Sequence, residues 1–241
     1  MSSATGTWLA SLLTVVILLA YEGALMWVQR KNPDRLARSA HANLREHWFA
    51  AVSRQPGSEI LAVQTLRNAL MSASMTASTA ALGLVGAATL AAPSLKASFA
   101  AQTFTGHVSA RMMLELALMT ILFVSLVCSA MAVRYYNHAG FIAGMPVGSP
   151  ERRQWSPNGS AYVRRAGWLY SWGLRHLLLV APILAAIVHP LAGPLAAVLV
   201  VMALIGFDQF RPGASPGEEA MPSTPSTPPL GAEPSRTDQS R

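Results

Sequence analysis

One cysteine, Cys128, is the whole thiol content of the chain. An internal disulfide is excluded, and so is a cysteine-rich metal site. Its place inside an apolar run makes it a small packing residue. Charge is scarce too. Only 12% of the 241 residues are Asp, Glu, Lys or Arg, against about a quarter in soluble domains. Acid is the scarcer sign, with 11 Asp and Glu against 18 Lys and Arg and a formal net charge of +7. In a soluble protein that balance would point to nucleic acid. Here the basic residues gather in particular connecting segments and no nucleic-acid motif accompanies them, so no nucleic-acid partner is expected. No P-loop, nucleophile elbow or zinc-binding pattern occurs. Of the six histidines, His176 alone lies well inside an apolar segment, which argues against paired axial ligands for a haem. Neither cofactor nor metal is expected, and no catalytic residue can be assigned.

What the chain has in excess is apolar. Hydrophobic residues make up 52% and the mean hydropathy is +0.35. They form runs long enough to require a bilayer around them. The first covers about 7–28, with Trp8 and Trp27 near its ends. Nineteen residues at ~1.5 Å each give roughly 28 Å, close to the ~30 Å hydrocarbon core, and tryptophans so spaced read as interfacial anchors. No Lys or Arg precedes this run and no clear cleavage pattern follows it, so a retained span is expected instead of a signal peptide. Further spans are expected over about 60–92, 112–136, 160–189 and 191–207. Pro93 and Ser94 mark the expected stop of the second, and Pro182 an expected kink in the fourth. The Pro- and Gly-rich stretch 140–159 reads as a loop. The turn at His189–Gly193 is so short that the last two spans must be antiparallel neighbours.

Between the first two spans, Asn32, Pro33 and Asp34 are helix-start signals. Leu36, Ala40, Leu44, Trp48 and Val52 then fall four apart. A helix over about 33–53 is expected to lie on the membrane surface, with packing against other protein as the alternative. From Arg211 onward Pro, Ser and Gly dominate, so residues 211–241 are expected to be a disordered tail after a membrane domain of residues 1–210. The fold class is therefore all-α: an integral-membrane helical bundle of about five spans plus one cytoplasmic interfacial amphipathic helix.

Basic residues orient this layout. Arg30, Lys31, Arg35, Arg38, Arg45, Arg54 and Arg67 belong to the first expected cytoplasmic loop with its flanking span ends, and Arg134, Arg152, Arg153, Arg164 and Arg165 to the second. Only Lys96 and Arg111 fall between the second and third. The positive-inside rule then places the N-terminus outside and the C-terminus in the cytoplasm, in the cell (inner) membrane.

Polar residues inside the spans carry the functional signal. Glu22 and Arg175 lie at similar expected depth, and an unpaired charge there costs at least ~2.5 kcal/mol. An ion pair between them is the expectation, with separate snorkelling as the alternative. Arg111 and Glu115 are set four apart for a simple helical pair. Gln64, Asn68, Ser72 and Thr76 recur every fourth residue along the second span. Such a ladder is either a close-packing face or the lining of a wet pocket open to the cytoplasm. Arg67, Arg134, Tyr135, Asn137, His138, Arg175 and Asp208 are expected near the same level. A net-basic pocket of that kind suits an anionic lipid headgroup or another small anion.

Several of these segments, "NLREHW" (Asn43–Trp48), "AVQTLRN" (Ala62–Asn68), "RYYNHAGF" (Arg134–Phe141), "GLR" (Gly173–Arg175) with Pro182, and Asp208, resemble a family of bacterial and plant membrane proteins known as domain of unknown function 599. The resemblance implies a multi-pass helical membrane protein and no particular activity. The chain departs from the family at "RHLLLVAP" after "GL", where aromatic residues are expected. The function expected is non-enzymatic: binding of an anionic lipid or a membrane partner, in a chain that can also form homo-oligomers. A small oligomeric transporter or channel is the alternative, and a lipid-modifying enzyme a further one.

Overall fold

The structure, a computed structural model, describes residues 3–31, 37–100 and 109–208. Those residues form seven helices and no strand: α1 (Ser3–Lys31), α2 (Ala37–Val52), α3 (Glu59–Ala100), α4 (Ala110–Gly144), α5 (Pro150–Leu178), α6 (Val180–Val188) and α7 (Ala192–Asp208). The expected tail over 211–241 lies outside the described residues.

Local chemistry sets the boundaries. α1 is mostly apolar, with Glu22 its one interior charge, and its last turn carries Arg30 and Lys31, favourable charges at a helix C-terminus. Ser109 opens α4 by accepting a hydrogen bond from the Met112 N–H at 3.1 Å. Ser149 does the same for α5 with the Arg152 N–H at 3.1 Å, and Pro150 takes the first turn, where its missing N–H costs nothing. The stretch 140–159 is consequently mostly helical, not a loop. Only 145–149 connects α4 to α5, with Gly148 at φ +93° supplying the backbone reversal. Pro93 does not stop α3 either, which continues to Ala100. Pro182 does interrupt its helix. It offers no N–H to the Leu178 carbonyl four residues back, and the chain breaks at Leu179 between α5 and α6.

Four segments are long and apolar enough to cross a membrane: Thr5–Lys31, Glu59–Ala97, Ala110–Gly144 and Pro150–Val188. α7, with 17 residues, is shorter and sits at the lower limit of ~17 for a span. Large aliphatic and aromatic side chains point outward throughout, Leu82 and Phe141 each 74% exposed. That is the surface of a protein solvated by lipid.

Two cores lie in series along α4. Around its first half, α1, α6 and α7 join it in a cluster of Leu18, Leu25, Leu118, Leu122, Ile183 and Leu204. Around its second half, α2, α3 and α5 join it in a cluster of Phe49, Leu66, Tyr136, Ile142 and Val163. Close approach is set by missing Cβ atoms. A Cβ at Gly159 would run into the Phe49 ring, and one at Gly173 into the Ser129 hydroxyl. α5 comes near enough for Ser125 to donate to the Gly173 carbonyl at 2.7 Å.

α2 packs against α5 by a face different from the four-residue repeat seen in the sequence. Ala42, Phe49 and Val52 are buried, whereas Leu44 is exposed. The reason is the 3-4-3 spacing of 42, 45, 49 and 52, which follows 3.6 residues per turn more closely than steps of four.

Candidate functional site

The residues singled out in the sequence divide among three places. The first is a groove of about 560 Å³ between α3 and α4. Val63, Leu66, Arg67 and Leu70 form one wall, and Tyr136, Asn137, Gly140, Phe141, Gly144 and Met145 the other. No carboxylate lines it. Among the described residues, the Arg67 and Asn137 side chains engage no ion pair or hydrogen bond, and both are exposed. Arg134 and His138 continue round the exposed arc of α4. Tyr135 and His138 lie against Tyr162 of α5, with ring centroids 5.7 and 5.8 Å away.

The turn beyond this groove is pinned. Glu59 at the start of α3 accepts a hydrogen bond from the Val147 N–H at 3.0 Å. Arg152 is buried at the turn, donating to the Ile142, Ala143 and Met145 carbonyls. Those carbonyls close the α4 C-terminus, Ile142 also accepting the Met145 N–H, and the guanidinium faces the negative end of the helix dipole.

The second place is a buried cluster joining α1, α5 and α7. Arg175 forms a two-pronged ion pair with Asp208 and donates to the Tyr21 hydroxyl at 2.9 Å. Tyr21 in turn donates to Asp208 at 3.4 Å. The direct partner of Arg175 is thus Asp208, and Glu22 stands beside the pair. Its Oε1 lies 4.0 Å from His176 Nε2. The His176 Nδ1 is 2.8 Å from the Trp172 carbonyl, and its ring stacks on Trp172. Arg175 and Asp208 therefore neutralise each other in place of lining a pocket with Arg67.

The third place is the outer face of α3, which carries Gln64, Asn68 and Ser72, all exposed. One residue advances a helix by about 100°, so Asn68 points away from the groove that Arg67 borders. The hydroxyls there turn back on their own helix. Thr65 donates to Leu61, Ser72 to Asn68 and Thr76 to Ser72, at 2.9, 3.1 and 3.0 Å. Bonded in this way, they can face lipid without orphaned donors.

Sequence reasoning missed Tyr21 and Arg152. Tyr21 precedes Glu22 on an apolar helix and gave no separate signal. Arg152 was legible in principle, because Ser149, Pro150 and Glu151 spell a helix start that puts Arg152 in its first turn.

These features define a multi-pass helical membrane protein with a basic groove at the end of the bundle where α3 begins and α4 ends. The chain matches the family model described as "Protein of unknown function, DUF599" over residues 9–212 and belongs to that family. No curated protein and no solved structure matches it.

Proposed function

We propose that this is a non-enzymatic membrane protein that binds an anionic, phosphate-bearing headgroup in the groove between α3 and α4. One observation carries the reading: Arg67 and Asn137 present unengaged donors in a groove without a carboxylate. Arginine suits phosphate because its planar fork donates two parallel hydrogen bonds. Arg134 and His138 on the adjoining arc extend the donor surface. The uneven distribution of Lys and Arg supports an N-terminus outside and a C-terminus in the cytoplasm, which puts the groove on the leaflet richest in anionic lipid.

Extraction into native lipid discs tests this. Anionic lipid should be enriched over the bulk membrane with the wild-type protein and fall to the bulk ratio with Arg67→Ala. Equal lipid profiles for the two proteins would remove the headgroup site.

A second reading, a small oligomeric transporter, draws on the buried Tyr21–Arg175–Asp208 cluster with Glu22 and His176 beside it. Ionisable groups inside spanning segments mark ion pathways as well as structural pairs. Solute flux into proteoliposomes above the empty-vesicle rate would favour it.

A further inference from the structure

The groove is far larger than a phosphate group needs. Its volume of about 560 Å³ falls in the range of roughly 300–1,000 Å³ typical of sites for whole small molecules. Beyond Arg67 and Asn137 its walls are mostly apolar, formed by Val63, Leu66, Leu70, Phe141 and Met145. A free phosphate against such walls would lose hydration without replacement. The furrow itself is made by glycine. A Cβ added at Gly140 would meet nothing within 4 Å, and one at Gly144 would touch only Val63 Cγ2 at 3.8 Å. Phe141 beside them is 74% exposed, a large apolar surface next to an unpaired cation.

From the glycine furrow and these walls we infer that the occupant is an anionic phospholipid whose phosphate sits at Arg67 and Asn137 while one acyl chain lies in the furrow against Gly140 and Phe141. This rests on the headgroup reading above and adds the chain. The charge match selects the anionic class, since no acidic side chain in the groove balances Arg67. The apolar walls select a lipid over a soluble anion. An acyl chain laid along Val63, Leu66, Leu70 and Phe141 gains dispersion contacts with them.

The test uses the full-length protein in lipid discs with phosphatidylglycerol carrying a photoreactive diazirine on one acyl chain. In the wild type, label should appear on the peptides spanning 63–70 and 136–145. Gly140→Leu fills the furrow from α4, where its side chain has open space. Val63→Phe fills it from α3. Each should cut labelling about tenfold, equivalent to about 1.4 kcal/mol, with unchanged thermal stability showing the fold intact. Excess glycerol phosphate should not compete. If glycerol phosphate displaces the lipid, or labelling survives both fillings while Arg67→Ala abolishes anionic selectivity, the chain is not in the furrow and only the headgroup site remains. If labelling ignores Arg67→Ala and both fillings alike, the headgroup reading fails as well.

Discussion

Arg175, Asp208 and Tyr21 close three helices with one buried knot. The side chains of the ion pair are each only 10% exposed, so little solvent is left to stabilise either charge alone. Removing one partner of such a pair costs about 3 kcal/mol, whereas replacing both with apolar groups is often close to neutral. Asp208→Asn should therefore lower the thermal midpoint in lipid discs clearly, and Arg175→Met combined with Asp208→Leu should restore most of it. A double variant as unstable as the single one would show that the pair contributes more than mutual neutralisation. The cluster was partly legible beforehand. Glu22 and Arg175 fall at similar depth, and opposite charges in lipid seek each other. Which acid wins was not legible, because the choice between Glu22 and Asp208 depends on the rotation of α1 and on where α7 ends. Gln64 and Asn68 do not line the groove, for a different reason. They share a segment with Arg67, but a helix turns neighbours in sequence onto different faces.

At the scale of elements, spacing gave the helices and capping chemistry corrected their ends. Apolar runs foretold long helices, since a bilayer forces backbone groups to bond within the segment, and the four helices long and apolar enough to cross a membrane lie over four of them, with the shorter α7 over the fifth. Pro and Gly content misled over 140–159, where Ser149 and Pro150 start a helix instead of prolonging a loop. Pro93 misled in the same direction, because it sits inside α3 without ending it. The docking of α2 on α5 depends on a position with no side chain. Gly159 receives the fully buried Phe49 ring, and any Cβ there displaces it. Gly159→Val should loosen α2, at a cost of about 1–3 kcal/mol for overpacking. Hydrogen exchange would show it as faster exchange across Ala37–Val52 with α4 and α1 unaffected. Unchanged protection of α2 would mean that the Arg164–Glu46 pair, 3.5 Å apart, and the remaining contacts hold it without Phe49. That outcome is not expected of an exposed ion pair.

At the scale of the whole molecule, a lipid-solvated bundle carries a basic groove at one end, and both features are measurable. The proposed orientation, with the C-terminus in the cytoplasm, rests on charge alone: in a Cys128→Ser background, the thiol introduced by Ser215→Cys should react with an impermeant reagent only after the cytoplasmic face is opened. Labelling of intact cells would reverse the assignment and move the groove to the other leaflet. In the proposed reading Arg67 holds an anionic lipid while Arg175 holds the bundle together. Native mass spectrometry with stepwise collisional activation separates the two roles most directly. The wild type should carry a lipid adduct that outlasts all others, is lost in Arg67→Ala, and persists in the Arg175→Met, Asp208→Leu double variant. An adduct that survives Arg67→Ala but vanishes from the double variant would contradict that claim and place the ligand among α1, α5 and α7.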